Sequence, residues 1–365
     1  MVLAERWISR WMDSKQLTVE KNRCTHAKNQ KSSCHICVES CPASSIKIEG
    51  NLQVNFETCR ECMICTAICP TNVFADKKYK CYLEQMNGRT IVEIACQRQG
   101  GNDHFVIVPC LRMLDEAILL YGLSDNKKIH IRFNESKCKT CSFKIDNISS
   151  FIEELIHRVE MIKQEKVEVH INSQEINLGE QQQFSRRDLF SFLSKRMQSN
   201  IVIPLIEEEE VTNKEREKIA LSEKQRFIIQ LLKKQKDNPN LSSKVVKTAK
   251  VRITNHCTGC LKCSYVCPTG SLYNDETDHQ IAIKQTLLKC VDCKSCQDIC
   301  PEKSLSLESI NIDFKKYLEN NEELIYCFVK KRCSTCGEKL DDIHSTICIE
   351  CQNKLKQSES VLSFW

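Results

Sequence analysis

Alternation of apolar and polar positions picks out short strands at both ends of the chain. In SIKIEGNLQVNF, Ile46, Ile48, Leu52 and Val54 alternate around Glu49-Gly50-Asn51, which reads as a β-hairpin turning at glycine. SLYNDETDHQIAIK is a looser hairpin in which Ile281 and Ile283 alternate again. Between residues 81 and 175 the pattern changes to near-continuous apolar strands, IVEIAC, HFVIVPC and KIHIRF, with LRMLDEAILLYGL as a helix. Leu111, Leu114, Ile118 and Tyr121 fall on one face of that helix, and the strands imply a sheet buried on both sides. This is a small α/β domain. Residues 176–247 contain IEEEEVTNKEREK and LLKKQKDNPN and read as a charged helical linker rather than core.

The chain has 26 cysteines in 365 residues, about 7%, below the roughly 8–10% of short disulfide scaffolds. They are dense from 24 to 141, absent from 142 to 256 and dense again from 257 to 351. The opening MVLAERWISRWMDSK lacks the apolar core of a signal peptide. No apolar run approaches the roughly 20 residues that cross a bilayer, so no integral membrane segment is expected. A reducing cytoplasm would keep so many thiols available for metal. A net charge of +5 predicts neither nucleic-acid binding nor a polybasic membrane surface.

Three cysteine runs share one spacing of two, two and three intervening residues, each closed by proline: Cys59/Cys62/Cys65/Cys69, Cys257/Cys260/Cys263/Cys267 and Cys290/Cys293/Cys296/Cys300. A fourth run ends in Cys34, Cys37 and Cys41-Pro42, but its leading position holds Lys31. Runs of this kind supply thiolates to [4Fe-4S] clusters. Consecutive turns aim three sulfurs and several N–H groups at one spot, and the proline turns the chain away. Zinc prefers paired C-x2-C knuckles and fits these runs poorly.

A run, a hairpin and a run, repeated at 20–80 and 248–312, resembles the bacterial two-cluster ferredoxins. The resemblance implies that the fourth cysteine of each run serves the other cluster. Cys257, Cys260, Cys263 and Cys300 would then hold one cluster, and Cys290, Cys293, Cys296 and Cys267 its neighbour. The first module would use Cys59, Cys62, Cys65 and Cys41 for one site, and Cys34, Cys37 and Cys69 for the other. Lys31 cannot ligate iron as a cation, whereas Cys24 can loop back to complete that site. A [3Fe-4S] or labile cluster is the alternative.

In the middle domain Cys96 ends the first strand, Cys110 ends the second, and Cys138 and Cys141 follow the third. If the strands are parallel, all four meet at the carboxyl edge of the sheet, where open α/β sheets bind ligands. IVEIAC, VPCLRMLDEAILL and CKTC resemble the delta subunit of methyl-viologen-reducing hydrogenases, which passes electrons to a heterodisulfide reductase partner. Only Gln97 to Asp103 join the first two strands, while parallel crossovers usually need about a dozen residues. A strand of that length spans about 17–20 Å, and the link reaches only about 23–25 Å. A [2Fe-2S] cluster or other metal, buried structural cysteines, and a redox-active Cys138/Cys141 pair all remain open. By chain order this set lies between the ferredoxin-like modules and would connect them.

Cys333-x2-Cys336-Gly337 and Cys348-x2-Cys351 form two knuckles at 325–356, as in zinc ribbons. Zinc is favoured over a rubredoxin-like iron, and protein contact over nucleic acid. SRRDLFSFL, residues 185–193, reads as an amphipathic helix capped by Ser185. It also resembles the arginine-pair segment of ferredoxin-type accessory proteins of molybdenum enzymes, which implies partner docking. Cys81 and Cys327 have no spacing that demands metal, and His256 beside Cys257 reads as a solvated loop residue.

The expectation is an α+β multidomain protein with two 2[4Fe-4S] ferredoxin-like modules, a small α/β middle domain and a zinc ribbon. Its cofactors would be four [4Fe-4S] clusters and zinc, with a [2Fe-2S] cluster as one reading of the middle set. It would pass electrons between redox protein partners, one of formate dehydrogenase, hydrogenase or molybdoenzyme type, with no substrate site of its own. Two rivals are a ferredoxin-fed thiol/disulfide oxidoreductase and a maturation or regulatory accessory factor. No Rossmann glycine pattern or P-loop appears, and nine glycines leave little for phosphate-cradling loops.

Overall fold

The computed structural model describes residues 15–99, 104–124, 127–143, 145–172, 223–234, 240–242, 244–277, 279–313, 315–316, 322–338, 340 and 345–362. The first module begins earlier than the cysteine pattern suggests, because a short strand β1 (Leu17–Val19) pairs antiparallel with β4 (Phe74–Asp76) and closes the unit. Between them β2 (Ile46–Glu49) and β3 (Asn51–Val54) form the expected hairpin, Ile46 opposite Val54 and Ile48 opposite Leu52. Gly50 takes φ +71° at its turn, a conformation glycine adopts without a Cβ clash.

The middle domain is a four-stranded sheet of β5 (Ile91–Cys96), β6 (Phe105–Val108), β7 (Lys128–Arg132) and β8 (Val169–Asn172), in spatial order β6-β5-β7-β8. All three pairings are parallel, which the short interval between β5 and β6 had argued against. Val92, Ile94 and Ala95 of β5 and Ile129 and Ile131 of β7 are wholly buried. The helix Ile148–Lys163 buries Ile148, Ile152, Leu155, Val159 and Ile162, a stripe at steps of four and three residues.

The helix expected over LRMLDEAILLYGL is divided. A 3-10 turn at Leu111–Met113 ends at Leu114, whose ψ is 140°, and the α-helix runs Glu116–Gly122. Asp115 causes the break: its carboxylate accepts the Ile118 N–H at 2.9 Å, an N-cap bond available only outside the helix.

The expected linker is only partly a linker. The helix Glu223–Lys234 forms, but Phe227 and Ile228 pack on the main core and Leu232 is fully buried in it. Lys224 Nζ reaches Asp115 Oδ2 at 2.5 Å and donates to the Thr66 carbonyl at 2.7 Å, tying the segment to both the middle domain and the first module. Charge runs hid an apolar stripe that tertiary packing uses. IEEEEVTNKEREK and SRRDLFSFL lie outside the described residues.

Beyond β9 (Asn240–Ser242), the second module repeats the first. An outer pair of β10 (Lys250–Ile253) with β13 (Leu305–Glu308) encloses a hairpin of β11 (Leu272–Glu276) and β12 (Gln280–Thr286). β14 (Asn311–Asp313) pairs with β9, and β15 (Glu322–Val329) adds to β12, placing Phe328 opposite Ile281. Strand β15 escaped the sequence reading, which had only a short, half-exposed apolar stretch to work from.

The two modules meet directly. Asn29 and Ser295, both buried, join through Asn29 Nδ2 donating to the Ser295 carbonyl at 3.2 Å. The Ser33 N–H and hydroxyl both donate to Asp298 Oδ2, at 2.7 and 2.9 Å. Leu287, just before Cys290, is buried in the same apolar core as Leu52 and Phe74 of the first module. The middle domain is therefore not the spacer between modules that chain order suggested.

Candidate metal centres

Left-handed backbone shapes each complete run. Two and four residues after the leading cysteine, φ is +51° and +60° at Glu61 and Met63, +76° and +58° at Gly259 and Leu261, and +48° and +62° at Asp292 and Lys294. Such alternation makes a concave nest of N–H groups suited to anionic sulfur. The Gly259 N–H, for example, donates to Cys257 Sγ at 3.4 Å. Each loop then enters a short helix: Ile64–Ile68, Lys262–Val266 or Ser295–Asp298.

Each Cys-Pro turn carries a further left-handed residue: Ser44 at φ +49°, Asn72 at +56°, Gly270 at +64° and Lys303 at +50°. The turn folds the chain back onto its own cysteine. Cys41 Sγ accepts from the Ser45 N–H at 3.3 Å, Cys69 Sγ from Val73 and Cys267 Sγ from Leu272, both at 3.4 Å. Cys300 Sγ lies 3.4 Å from the Ser304 hydroxyl.

Four sets of thiols result. In set A, Cys24, Cys34 and Cys37 lie close enough to Cys69 to feel its charge. In set B, Cys59, Cys62 and Cys65 surround Cys41. Set C gathers Cys290, Cys293 and Cys296 around Cys267, and set D gathers Cys257 and Cys263 with Cys260 around Cys300. In every set the fourth thiol comes from the opposite run of its module. A cavity of about 20 Å³ lies against set D, lined by its four cysteines and Ile253, Ile283 and Leu305.

Burial pushes Cys37 up to about 12, with the charges of Cys69, Cys34 and Cys24 adding to it. Burial likewise raises Cys263 to about 12 and Cys62 to about 11. Thiols packed this way stay neutral unless a cation joins them. The donor set therefore fits iron–sulfur clusters, which take four thiolates.

The incomplete run departs in backbone as well as in residue. Lys31 is exposed, and His35, which matches the second left-handed position, has φ −122°. Cys24 instead ends a 3-10 turn, Lys21–Arg23, and leads into the helix Thr25–Lys28. Buried polar bonds hold this detour: Ser32 Oγ donates to Thr25 Oγ1 at 2.8 Å, and His26 Nε2 lies 3.0 Å from the Cys34 carbonyl.

Because β5, β6 and β7 are parallel, Cys96, Cys110, Cys138 and Cys141 come to one edge. All four line a cavity of about 30 Å³ with Arg98, Gln99, Lys137 and Phe143. Gln99 Nε2 donates to Cys138 Sγ and to the Asn134 carbonyl, both at 3.1 Å. Burial raises Cys110 to about 12 and Cys138 to about 11. This middle set abuts set B: Cys110 feels Cys62, and both pack with Ile64, Phe143 and Cys141.

At the tail the ligand atoms of Cys333, Cys336, Cys348 and Cys351 all lie within 4.8 Å of one another. Cys336 and Cys348 are 3.6 Å apart. A tetrahedron with ~2.3 Å metal–sulfur bonds has edges of about 3.8 Å, so one ion fits this group. N–H donation from Cys348, Cys336 and Thr335 draws the Cys333 thiol below its usual range. Gly337 takes φ +77° at the knuckle turn. Cys81 and Cys327 are exposed, and His256 is exposed beside set D.

Residues 249–301 match the family model of the 4Fe-4S dicluster domain, a stretch containing all of sets C and D. That match identifies residues 249–301 as similar to a ferredoxin-type iron–sulfur domain, within a chain of mixed α and β structure. No curated protein matches the chain. Among the described residues no helix is long and apolar enough to cross a membrane.

Proposed function

We propose that the chain is a multi-cluster electron carrier. Sets A to D would hold four [4Fe-4S] clusters, the middle set a [2Fe-2S] cluster or other metal, and the tail knuckles zinc. One observation carries the reading: three thiols of each complete run gather round the fourth thiol of the opposite run, and in set D all four line one cavity. That exchange belongs to paired clusters in ferredoxins, and a zinc knuckle has no use for it. Such clusters accept and release single electrons, while the residues around them set the potential through hydrogen bonds, charge and burial.

The middle cysteines favour a metal over thiol exchange, because Cys96 and Cys110 join Cys138 and Cys141 in one lined cavity. A disulfide pair would need only two of them. The partners are redox proteins, one donor and one acceptor, with enzymes of formate dehydrogenase, hydrogenase or molybdoenzyme type as the candidates that sequence resemblance suggests.

Anaerobic purification with iron, sulfide and zinc counts tests the reading. About sixteen irons are expected from sets A to D, four per cluster, with about one zinc from the tail. A count near eight would remove one module from the electron path. Turnover of disulfide substrates with a low-potential donor, and no partner added, would favour the oxidoreductase instead.

A further inference from the structure

Sets A and C sit back to back across the contact between the modules. Ser33, whose N–H and hydroxyl bind Asp298, is the residue before Cys34 of set A. Ser295, whose carbonyl accepts from Asn29, is the residue before Cys296 of set C. One residue step is ~3.8 Å, so each of these bonds ties a cysteine of one set closely to the other set. Cys293 accordingly feels the charge of Cys34, and Cys34 that of Asp298.

The remaining neighbours follow from the modules themselves. Cys65 of set B lies beside Cys69 of set A at the end of one helix, and the Cys69 N–H donates to the Cys65 carbonyl at 3.2 Å. Cys263 of set D and Cys296 of set C are neighbours in the second module. On the other side of set B is the middle set, through Cys62 and Cys110.

We infer that the cysteine sets form a single line, middle set, B, A, C and D, and that Asn29, Ser33, Ser295 and Asp298 are the positioning residues of its central joint. This rests on the functional reading above. Electron tunnelling falls steeply with distance, so the order of the sets fixes the order of transfer. Each step moves one electron and makes or breaks no bond. A one-electron protein donor serves one end of the line and a one-electron protein acceptor the other. The middle set, which chain order places between the modules, becomes a terminus. Set D, with Cys260 exposed, is the opposite terminus.

The test is magnetic coupling between dithionite-reduced clusters, read by EPR on the full-length chain. A background carrying Cys59→Ser, Cys62→Ser, Cys96→Ser, Cys138→Ser, Cys257→Ser and Cys260→Ser keeps only sets A and C. With about eight irons bound, its spectrum should show splitting. Adding Asn29→Ala and Asp298→Ala should abolish that splitting, whereas Asp298→Asn, which still accepts from Ser33, should retain it. The complementary chain that keeps only sets B and D, with Cys96→Ser and Cys138→Ser also in place, should show two independent signals.

Additive signals from A and C at full iron loading, or splitting between B and D, overturn the order. If the background does not load, the Asn29→Ala/Asp298→Ala pair is read in the intact chain. There a changed interaction spectrum supports the joint, and an unchanged one at unchanged iron content overturns it. An intact chain that binds no iron sinks the functional reading along with the order.

Discussion

At Lys31 a cation stands where the cluster proposed for set A would need a thiolate, and Cys24, carried there by a buried polar detour through Thr25, His26 and Ser32, would supply it. Cys24→Ser should therefore remove about four irons or leave a three-iron signal, whereas Lys31→Ala should change neither the iron count nor the EPR spectrum. An unaltered Cys24→Ser spectrum would return the site to three ligands. A pH effect follows from the raised thiols. In the metal-free fold Cys37 and Cys263 are pushed to about 12 from 9.0. The unfolded chain loses those protons first, so the folded form binds more protons between the two values and its stability falls as pH rises through that window. Urea midpoints of metal-free protein should drop from pH 8 to pH 10, while the loaded protein, whose thiolates are already formed, should show little of this slope. Ligand spacing was legible in the sequence because metal binding acts within a few residues. The left-handed positions were not, since only Gly259 and Gly270 announce a conformation that Glu61, Met63, Leu261, Asp292 and Lys294 also adopt.

Among the elements, the hairpins and the three apolar strands of the middle domain were legible, because period-two alternation and continuous apolar runs report how a strand is buried. They do not report its direction, so that the strands run parallel was not legible. Elements whose existence depends on a distant partner were not. Strand β1 is held by β4, β15 by β12, and the helix Glu223–Lys234 by Asp115, Thr66 and the core around Leu232. The docked helix gives a direct check. Leu232→Ala should cost about 2–5 kcal/mol, the range for emptying a fully buried leucine site, measured by denaturation of loaded protein. A cost under about 0.5 kcal/mol, usual for surface changes, would mean that the helix is a solvated linker after all. The divided helix at Leu114 teaches a related point, that one capping carboxylate overrides apolar periodicity on either side of it.

Across the whole molecule, chain order proved a poor guide to neighbourhood. The middle domain follows the first module in sequence and leans on its set B, leaving set A free to meet the second module. Nothing local in the sequence signals that contact, because its hydrogen bonds are made by one amide, two hydroxyl-bearing residues and one carboxylate of ordinary composition. The tail is separate: Cys333, Leu340 and Cys351 form their own small core, with Ile347 and Cys348 packed against it. A zinc chelator should accordingly strip metal from the tail and leave the iron EPR spectrum unchanged. Loss of iron signal in step with zinc would tie the ribbon to the cluster modules.

The contact between Asn29, Ser33, Ser295 and Asp298 also loosens the link between polypeptide and protein. Residues 223–234 are anchored to the first half by Lys224 and Leu232, and the second module is held to it by the bonds around sets A and C. Among the described residues, these contacts hold the halves in register. Two halves expressed separately, one ending and one beginning between residues 172 and 223, should therefore associate through these surfaces, which co-purification would check.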